Sequence, residues 1–436
     1  MTLNQKVGQL FVVQAVSNKG ISHKTKILDE ITSNGVGGII FSNGSAEKQV
    51  ELTNLYQDMS NIPLLIGMDA EWGLSMRLDS TFSFPWNMTL GAISDNELIK
   101  NVGNRIAAHC KRIGVNFNFA PVVDINTNPK NPIIGNRSFG ESMQNVSSKS
   151  LNYMIGQQQM NVLSSAKHFP GHGDTSTDSH KSLPIINHKK ERILNVELKP
   201  FENLINNGLE SVMIAHLEVP SLEKTRGLPS TLSFAIVTEL LRNRLGFKGL
   251  IITDALEMKG LSSFKSKGNL DMLAFKAGND ILLMSENVSK GVSSIINEYN
   301  TGSITEERLS YSVKKILKAK YKVGLNKFSP ISTYDLDNDL NSVSDEILNE
   351  KLVENSLTVI KNKENIIPIK DLSERVGYLS FGNDSNTSFF SYLNKYSKVN
   401  YLSNLDFTNV DDLISKYNTI IIGIHANSNT PWKSYK

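Results

Sequence analysis

Short apolar runs alternate with longer amphipathic stretches along most of the chain. An apolar run bounded by turn residues is typical of a strand that is buried on both faces. We therefore predict strands at residues 9–14, 37–42, 64–69, 116–123, 163–168, 211–216, 249–254 and 280–284. Between them, apolar residues recur at the spacing of one helix face, which predicts helices that include residues 94–113, 193–207, 231–245 and 306–323.

The alternation of strands and helices predicts an α/β fold. Eight strands in succession, each followed by a helical stretch, fit a (β/α)8 TIM-type barrel better than a doubly wound sheet. A dinucleotide-binding sheet would need a glycine-rich turn after the first strand, and residues 16–20, Val-Ser-Asn-Lys-Gly, do not supply one. Capping pairs at Ser94 with Glu97 and at Ser303 with Glu306 predict where two of the helices begin.

The pattern changes after Gly324. Residues 326–350 contain Pro330 and several Ser, Asn and Asp residues, which predicts a linker between a barrel at 1–325 and a second α/β domain at 351–436. Strands are predicted in that domain at 357–360, 376–381 and 419–424. So few strands would leave an open sheet edge, and we therefore expect the second domain to be truncated.

Composition excludes several classes of protein. The chain has 436 residues, a formal net charge of +3 and one cysteine, Cys110. The small charge without a basic cluster predicts no nucleic-acid partner, and one cysteine excludes an internal disulfide framework. No apolar run is long enough to cross a membrane, so we expect no membrane contact. We also expect a monomer. It would be cytoplasmic if Met1 is the natural start, and periplasmic or exported if a signal peptide has been removed.

The segment 167–180 carries the strongest chemical signal. It reads Lys-His-Phe-Pro-Gly-His-Gly-Asp-Thr-Ser-Thr-Asp-Ser-His and holds three of the eight histidines of the chain. Glycines allow a shaped loop with close backbone approach, and titratable groups on such a loop favour catalysis or ligand binding. A metal site or a hydrogen-bonded structural loop is the alternative.

Ionisable residues also stand at the ends of five predicted strands, namely Asp69, Asp124, Lys167 with His168, His216 and Asp254. In a (β/α)8 barrel these ends meet at one rim, where catalytic groups are found. A single strand-end Asp often only caps a helix, but five such strands indicate an enzyme. His216 is as compatible with a satisfied structural histidine as with a ligand.

The motifs resemble those of a known family. Residues 167–174 with Asp178-Ser-His180 are similar to the signature of bacterial β-N-acetylglucosaminidases, also called β-N-acetylhexosaminidases, in glycoside hydrolase family 3. Shorter matches are residues 67–71, 120–124, 135–139, 212–216 and 252–256. The resemblance runs from Val7 to about Leu325 and continues weakly beyond it. The long loop motif is specific because the β-glucosidase branch of the family lacks it.

The resemblance implies a retaining mechanism and assigns its residues. Asp254 matches the nucleophile that forms a covalent glycosyl-enzyme, and His180 matches the acid/base, with Asp178 as its partner. Histidine titrates near neutrality, so it can protonate the leaving oxygen and later deprotonate water. The implied substrate is a small-molecule glycoside with terminal β-linked N-acetylglucosamine, including peptidoglycan fragments, and no metal or organic cofactor is implied.

The resemblance also implies the sugar-binding residues, which are Asp69, Arg137, Lys167, His168 and His172. For Arg137, a loop-fixing pair with Asp124 is as plausible as a ligand contact. We expect Asp174 and Thr175 to hold the loop in shape rather than to contact the ligand. For His188 we expect no role in the site. The family often has Asp-x-Glu-Gly-Gly-Arg after the third strand, whereas this chain has Asp-Ala-Glu-Trp-Gly-Leu-Ser-Met-Arg at 69–77, which leaves open which arginine completes this side. Trp72 could form an apolar platform for a sugar face, but we expect it to pack in the core.

Three other functions remain compatible with these residues. A phosphorylase could use the same site, since a histidine acid/base repels an attacking phosphate less than a carboxylate would. A metal-dependent hydrolase would use the histidines and Asp178 as ligands, although their spacing is not that of a helical pair. An inactive carbohydrate-binding protein would have no need of Asp254 together with Asp178 and His180.

Overall fold

The computed structural model describes residues 1–176, 182–258, 260–261, 270–371, 373–382, 387–402 and 410–425. Its largest sheet has eight parallel strands. They are β1 Phe11–Ala15, β2 Gly38–Phe41, β3 Leu65–Met68, β4 Phe117–Asn118, β5 Leu163–Phe169, β6 Ser211–Ile214, β7 Leu250–Thr253 and β8 Leu282–Leu283. Each lies within, or extends by one residue, a strand predicted from the sequence.

The eight strands form a closed barrel. Strands that follow each other in sequence lie side by side, and β8 pairs with β1. An isolated parallel bridge between Ile252 in β7 and Ile281, next to β8, joins the last two strands. The predicted (β/α)8 fold class is therefore confirmed, and the doubly wound alternative is excluded.

Burial on both faces explains why the strands read as apolar runs. Phe11, Ile39, Ile66, Val212 and Ile251 come from five different strands, and each is fully buried. Side chains on one face of a barrel strand fill the interior, while those on the other face pack against the surrounding helices. Each such side chain contributes about 1.5–3 kcal/mol relative to an exposed one.

Helices connect the strands and cover the barrel. In chain order they are α1 Leu3–Gly8, α2 Ile21–Asp29, α3 Ala46–Asp58, α4 Asn87–Gly91, α5 Asn96–Arg112, α6 Met143–Gln159, α7 Lys190–Arg192, α8 Lys199–Asn206, α9 Leu270–Ala277, α10 Val288–Asn300, α11 Glu306–Lys322, α12 Leu336–Leu340 and α13 Val343–Ser356. Segments with π-helical hydrogen bonding lie at Glu30–Asn34, Ile193–Glu197 and Ala235–Arg244. These elements account for the predicted helices at 94–113, 193–207, 231–245 and 306–323.

Two predicted helix starts are wrong by one or two residues. The side chain of Asp95, rather than Ser94, accepts from the Glu97 backbone N–H at the start of α5. Thr305, rather than Ser303, caps α11 by accepting from the Arg308 N–H. Asp and Thr are themselves good N-caps, and each stands directly before its helix, where the unpaired N–H groups lie.

A short parallel sheet of Gly44–Ser45 and Leu78–Asp79 lies in the same part of the chain as the barrel. Three further strands and two further helices belong to a smaller unit. Strands β9 Val376–Gly382, β10 Val399–Leu402 and β11 Thr419–His425 form a parallel sheet in the order β10-β9-β11, accompanied by α14 Thr387–Leu393 and α15 Val410–Lys416. The predicted strand at 357–360 is wrong, because these residues form no strand and Ile360 is 95% exposed. Strand β10 was not predicted, since it is only four residues long.

By its contacts, the chain divides into the compact units Met1–Leu357 and Thr358–Lys436. The predicted limits of 1–325, 326–350 and 351–436 stay a prediction. Among the described residues, no helix combines the length and the apolar character needed to cross a membrane.

Lys320 in α11 is a buried cation at the amino end of β1. Its Nζ donates to Gln9 Oε1 at 2.5 Å, and Gln9 Nε2 in turn donates to the Gly35 carbonyl at 3.0 Å. Burial lowers the pKa of Lys320 to about 7. The unfolded chain, with a lysine pKa near its ordinary value, therefore binds more protons than the folded protein above pH 7.

We expect the stability of the wild type to rise with pH through this group, by up to about 1.4 kcal/mol per pH unit between pH 7 and 10. Lys320→Met removes the titration, so the stability of the variant relative to the wild type should fall by up to about 2.8 kcal/mol between pH 7 and pH 9. Urea unfolding of both proteins at the two pH values measures this. Parallel pH dependences in the two proteins would contradict it.

Candidate active site

Charged side chains meet where β3 and β5 end. Lys167, near the end of β5, is only 2% exposed, and its Nζ lies 2.8 Å from Asp69 Oδ1 and 2.8 Å from Glu71 Oε1. Asp69 directly follows β3, and Glu71 comes two residues later. A buried ammonium group is costly unless paired, so these two carboxylates hold Lys167 in place as a charged donor.

Asp69 is held from two sides. Lys167 contacts Oδ1, and Arg77 Nη2 donates to Oδ2 at 2.5 Å. Burial alone would raise the pKa of Asp69, but the positive charges of Lys167 and Arg77 lower it well below its usual range. Asp69 keeps 16% of its side chain exposed. It is therefore an oriented, ionised acceptor at the edge of the cluster, and Arg77 is the arginine that the altered motif left open.

Glu71 connects Arg137 to the same cluster. Arg137 donates from Nε to Oε2 at 2.9 Å and from Nη2 to Oε1 at 2.6 Å, a bidentate pair that fixes the guanidinium plane. Burial would raise the pKa of Glu71, but Arg137 and Lys167 lower it to about 2. Arg137 thus pairs with Glu71, and the alternative pair with Asp124 is wrong.

Asp124 fixes the two histidines of the predicted loop. Its carboxylate accepts from the backbone N–H groups of His168 and His172, at 3.2 Å and 2.7 Å, and lies 2.7 Å from His168 Nδ1. Burial would raise the pKa of Asp124, but His168, first by its charge and then by its hydrogen bond, lowers it overall. Because a carboxylate only accepts, the proton of a neutral His168 ring lies on Nδ1, and Nε2 is the acceptor.

His172 is buried beside His168. Its Nδ1 lies 2.7 Å from Thr175 Oγ1, and the two imidazole rings meet edge to face at 5.9 Å. Burial, followed by the charge of His168, lowers the pKa of His172 to about 4. His172 is therefore neutral at physiological pH, which suits hydrogen bonding to an uncharged hydroxyl group better than anion binding.

Asp254 follows β7 directly. Its backbone N–H donates to the Ile214 carbonyl at 2.9 Å, and Oδ1 accepts from the Ala255 N–H at 2.8 Å. Burial would raise the pKa of Asp254, but the charge of His216 and then that of His168 lower it, with a smaller effect from Lys167. The carboxylate is therefore ionised and lies within electrostatic reach of the β5 end.

His216 has a supporting position. Its Nδ1 lies 2.7 Å from Thr231 Oγ1 and its Nε2 2.9 Å from the carbonyl of Ala255. Both ring nitrogens thus have protein partners, as in a satisfied structural histidine. Since Ala255 adjoins Asp254, His216 steadies the backbone next to that carboxylate.

The loop after β5 is pressed against the loop after β4. A Cβ on Gly173 would lie 1.9 Å from the Ile125 carbonyl oxygen, so only glycine fits there. Asn131 Nδ2 donates to the His172 carbonyl at 2.8 Å, and Asn128 Nδ2 donates to the Thr175 carbonyl at 3.2 Å. These contacts fix the backbone of residues 172–175.

Trp72, which replaces the family glycine, is 8% exposed and packs edge-on against Trp86, with ring centroids 6.3 Å apart. This agrees with the predicted packing role. Among the described residues, no group of three or more His, Cys, Asp or Glu side chains is placed to hold a metal ion.

The structure thus brings together Asp69, Arg137, Lys167, His168 and His172, with Asp254 nearby. The predicted dyad, Asp178 and His180, lies outside the described residues. Sequence reasoning assigned no role to Glu71 or Asn131. The signal for Glu71 was its place two residues after Asp69 in the quoted motif; Asn131 lies in a loop without a comparable signal.

The first 319 residues identify the family. Residues 2–319 match the model of the glycosyl hydrolase family 3 N-terminal domain. The chain belongs to this family. It is 32% identical over 371 residues to β-hexosaminidase A of Pseudoalteromonas piscicida. The aligned region covers 78% of this chain and 61% of that protein. It is 26% identical to a β-N-acetylglucosaminidase/β-glucosidase of Cellulomonas fimi, covering 84% and 66%.

A solved family 3 β-N-acetylglucosaminidase from Paenibacillus sp. str. FPU-7 superimposes with a TM-score of 0.80 at 30% identity, covering 97% of this chain and 84% of that one. The chain spans less than two thirds of the length of the Pseudoalteromonas and Cellulomonas relatives. Membership of the family and the fold are thus shown.

We expect Gly173→Ala to lower kcat/KM by about 10²-fold, because the new methyl group must displace the backbone that carries His172. The matched control is Gly20→Ala, since a Cβ at Gly20 meets nothing within 4 Å and its φ of −72° suits any residue. Steady-state kinetics of both variants on an aryl N-acetylglucosaminide test this. Wild-type kinetics of the Gly173 variant would show that the contact with Ile125 does not matter.

Proposed function

We propose that the protein is a retaining, exo-acting β-N-acetylglucosaminidase that hydrolyses terminal β-linked N-acetylglucosamine. The observation that carries the proposal is the ionised carboxylate of Asp254, which directly follows a barrel strand and lies within electrostatic reach of His168 and Lys167. Retaining hydrolysis needs a carboxylate that attacks the anomeric carbon. Asp254 meets that requirement because its lowered pKa keeps it charged.

The polar cluster suits recognition of a pyranose. Asp69 is an ionised acceptor and Lys167 a charged donor, and a pair of this kind can bracket two neighbouring hydroxyl groups through charge-assisted hydrogen bonds. His168 and His172 add two imidazole rings beside them. Since Glu71 and Asp124 hold these groups in place before any ligand binds, little ordering remains to be done on binding.

The acid/base assignment rests on the sequence motif and on the family. In the proposed reaction, His180 protonates the glycosidic oxygen while Asp254 attacks the anomeric carbon, so that the bond to the leaving group breaks as the bond to Asp254 forms. His180 then removes a proton from water, which attacks the same carbon and releases Asp254. Asp178 would orient the imidazole and stabilise its charged form, as a carboxylate does in a catalytic triad.

The preference for N-acetylglucosamine is supported by relatives. The Pseudoalteromonas protein is named a β-hexosaminidase and the solved Paenibacillus enzyme a β-N-acetylglucosaminidase, while the Cellulomonas protein is named a β-N-acetylglucosaminidase/β-glucosidase. We propose peptidoglycan fragments, such as N-acetylglucosamine linked to anhydro-N-acetylmuramic acid, as natural substrates. A rate comparison between the p-nitrophenyl N-acetylglucosaminide and the matching glucoside tests the acetamido preference.

Asp254→Ala is expected to lower turnover of the p-nitrophenyl N-acetylglucosaminide by about 10⁴-fold or more, because no glycosyl-enzyme can form. The control is Glu257→Gln, which alters an exposed carboxylate three residues further on. Wild-type-like turnover by the Asp254 variant would refute the assignment. Product analysis of the wild type in phosphate buffer belongs to the same test, since sugar 1-phosphate as the main product would make the protein a phosphorylase.

His180→Ala should affect substrates according to their leaving group. We expect kcat/KM for a disaccharide to fall by about 10²–10⁴-fold, because its alkoxide must be protonated as it leaves. For a dinitrophenyl glycoside, whose leaving group needs no proton, kcat/KM should change little. Equal losses on both substrates would argue against the acid/base role of His180.

A further inference from the structure

Asp174 and His188 join two distant points of the loop after β5. His188 Nε2 is hydrogen-bonded to Asp174 Oδ2, across 14 positions of the sequence. The two side chains are 26% and 31% exposed, Asp174 being the less exposed. Neither residue takes part in the cluster around Lys167, and the proposed chemistry so far has no use for their pair.

The chain is fixed just beside Asp174. Gly173 is pressed against the Ile125 carbonyl, and Thr175 is buried, with its carbonyl bonded to Asn128 and its hydroxyl bonded to Asn131 at 3.3 Å. The backbone on this side therefore has one position, which the β4 loop determines.

The chain is fixed again just before His188. The Ile186 N–H donates to the Glu218 carbonyl at 2.9 Å, and the Glu218 N–H donates to the Pro184 carbonyl at 2.9 Å, forming a parallel bridge to the chain after β6. Ile186 is itself buried. The pair of Asp174 and His188 thus connects two pieces of backbone. One is held by the loop after β4, and the other by the chain after β6.

We propose that Asp174 and His188 form a positioning pair for the acid/base residues of the reaction. This rests on the proposed function, in which Asp178 and His180 lie in the sequence between the two ends that the pair joins. Tying the ends of a chain segment reduces the number of conformations open to it. A smaller set of conformations raises the fraction of time for which an acid on that segment can reach the leaving oxygen.

A positioning role and a purely structural role predict different effects of removing the pair. A partly exposed ion pair contributes little to global stability. If the pair serves positioning, its loss should leave the fold intact and weaken only the steps that need proton transfer. If it is structural alone, its loss should affect all substrates alike through the amount of folded protein.

The test is a double-mutant cycle of Asp174→Ala, His188→Ala and the double variant in the full chain. We expect each variant to lower kcat/KM for the N-acetylglucosamine disaccharide by about 10–100-fold, which is part of the gain that a general acid provides. For the dinitrophenyl N-acetylglucosaminide, kcat/KM should stay within about threefold, because that leaving group needs no proton. The double variant should lose no more than either single one, because both break the same pair.

Two further measurements separate positioning from structure. His188→Gln keeps an N–H that can donate to Asp174, so it should recover most of the disaccharide activity lost in His188→Ala. Added azide, a nucleophile that needs no base, should speed turnover of the dinitrophenyl substrate by the alanine variants and release the glycosyl azide as Asp254 departs from the anomeric carbon.

Asp339→Ala is the matched control, because it breaks a partly exposed pair with Arg112 on the outside of the barrel and should leave both substrates unaffected. Equal losses on both substrates, additive losses in the double variant, or unchanged disaccharide kinetics would each overturn the positioning role. If the wild type does not cleave N-acetylglucosaminides, or Asp254→Ala still does, the proposed function itself fails. These results are distinguishable because they concern the wild type and Asp254 rather than the pair.

Discussion

The buried ammonium group of Lys167 is the constraint on which the rest of the site depends. A lysine that is 2% exposed must have its charge balanced inside the protein, and Asp69 and Glu71 do so at 2.8 Å each. Arg77 adds a second cation to Asp69 and Arg137 adds a second cation to Glu71, so three cations share two carboxylates. The result is a row of alternating charges in which removal of either carboxylate would leave an arginine without its carboxylate partner.

A second centre of organisation is Asp124. It accepts from two backbone N–H groups and lies against one imidazole, so it fixes the direction of the chain after β5 as well as the tautomer of His168. The lysine cluster and Asp124 share the β5 end, since Lys167 and His168 are neighbours in sequence. One strand end therefore presents both a charged donor and an oriented imidazole.

The barrel could be predicted from the sequence because strands buried on both faces leave an unambiguous apolar signal, and parallel neighbours require helices between them. Residues at strand ends, such as Asp69 and Asp254, were predictable for the same reason: the topology itself gathers them at one rim. Helix starts were missed at Ser94 and Ser303, where several good capping residues stand close together and only geometry decides among them. The pairing of Arg137 with Glu71 was equally out of reach, because both residues lie in irregular segments.

The site thus has two parts with different origins. Asp69, Lys167 and Asp254 stand at or next to the ends of strands, so the barrel that closes through Ile252 and Ile281 fixes their separation. The acid/base residues of the proposed mechanism instead lie in sequence between Thr175 and Pro184. The described chain on one side is held by the β4 loop and on the other by the bridge to Glu218. The hydrogen bond between Asp174 and His188 joins these two sides directly, so one pair of side chains connects supports that come from two different parts of the barrel unit.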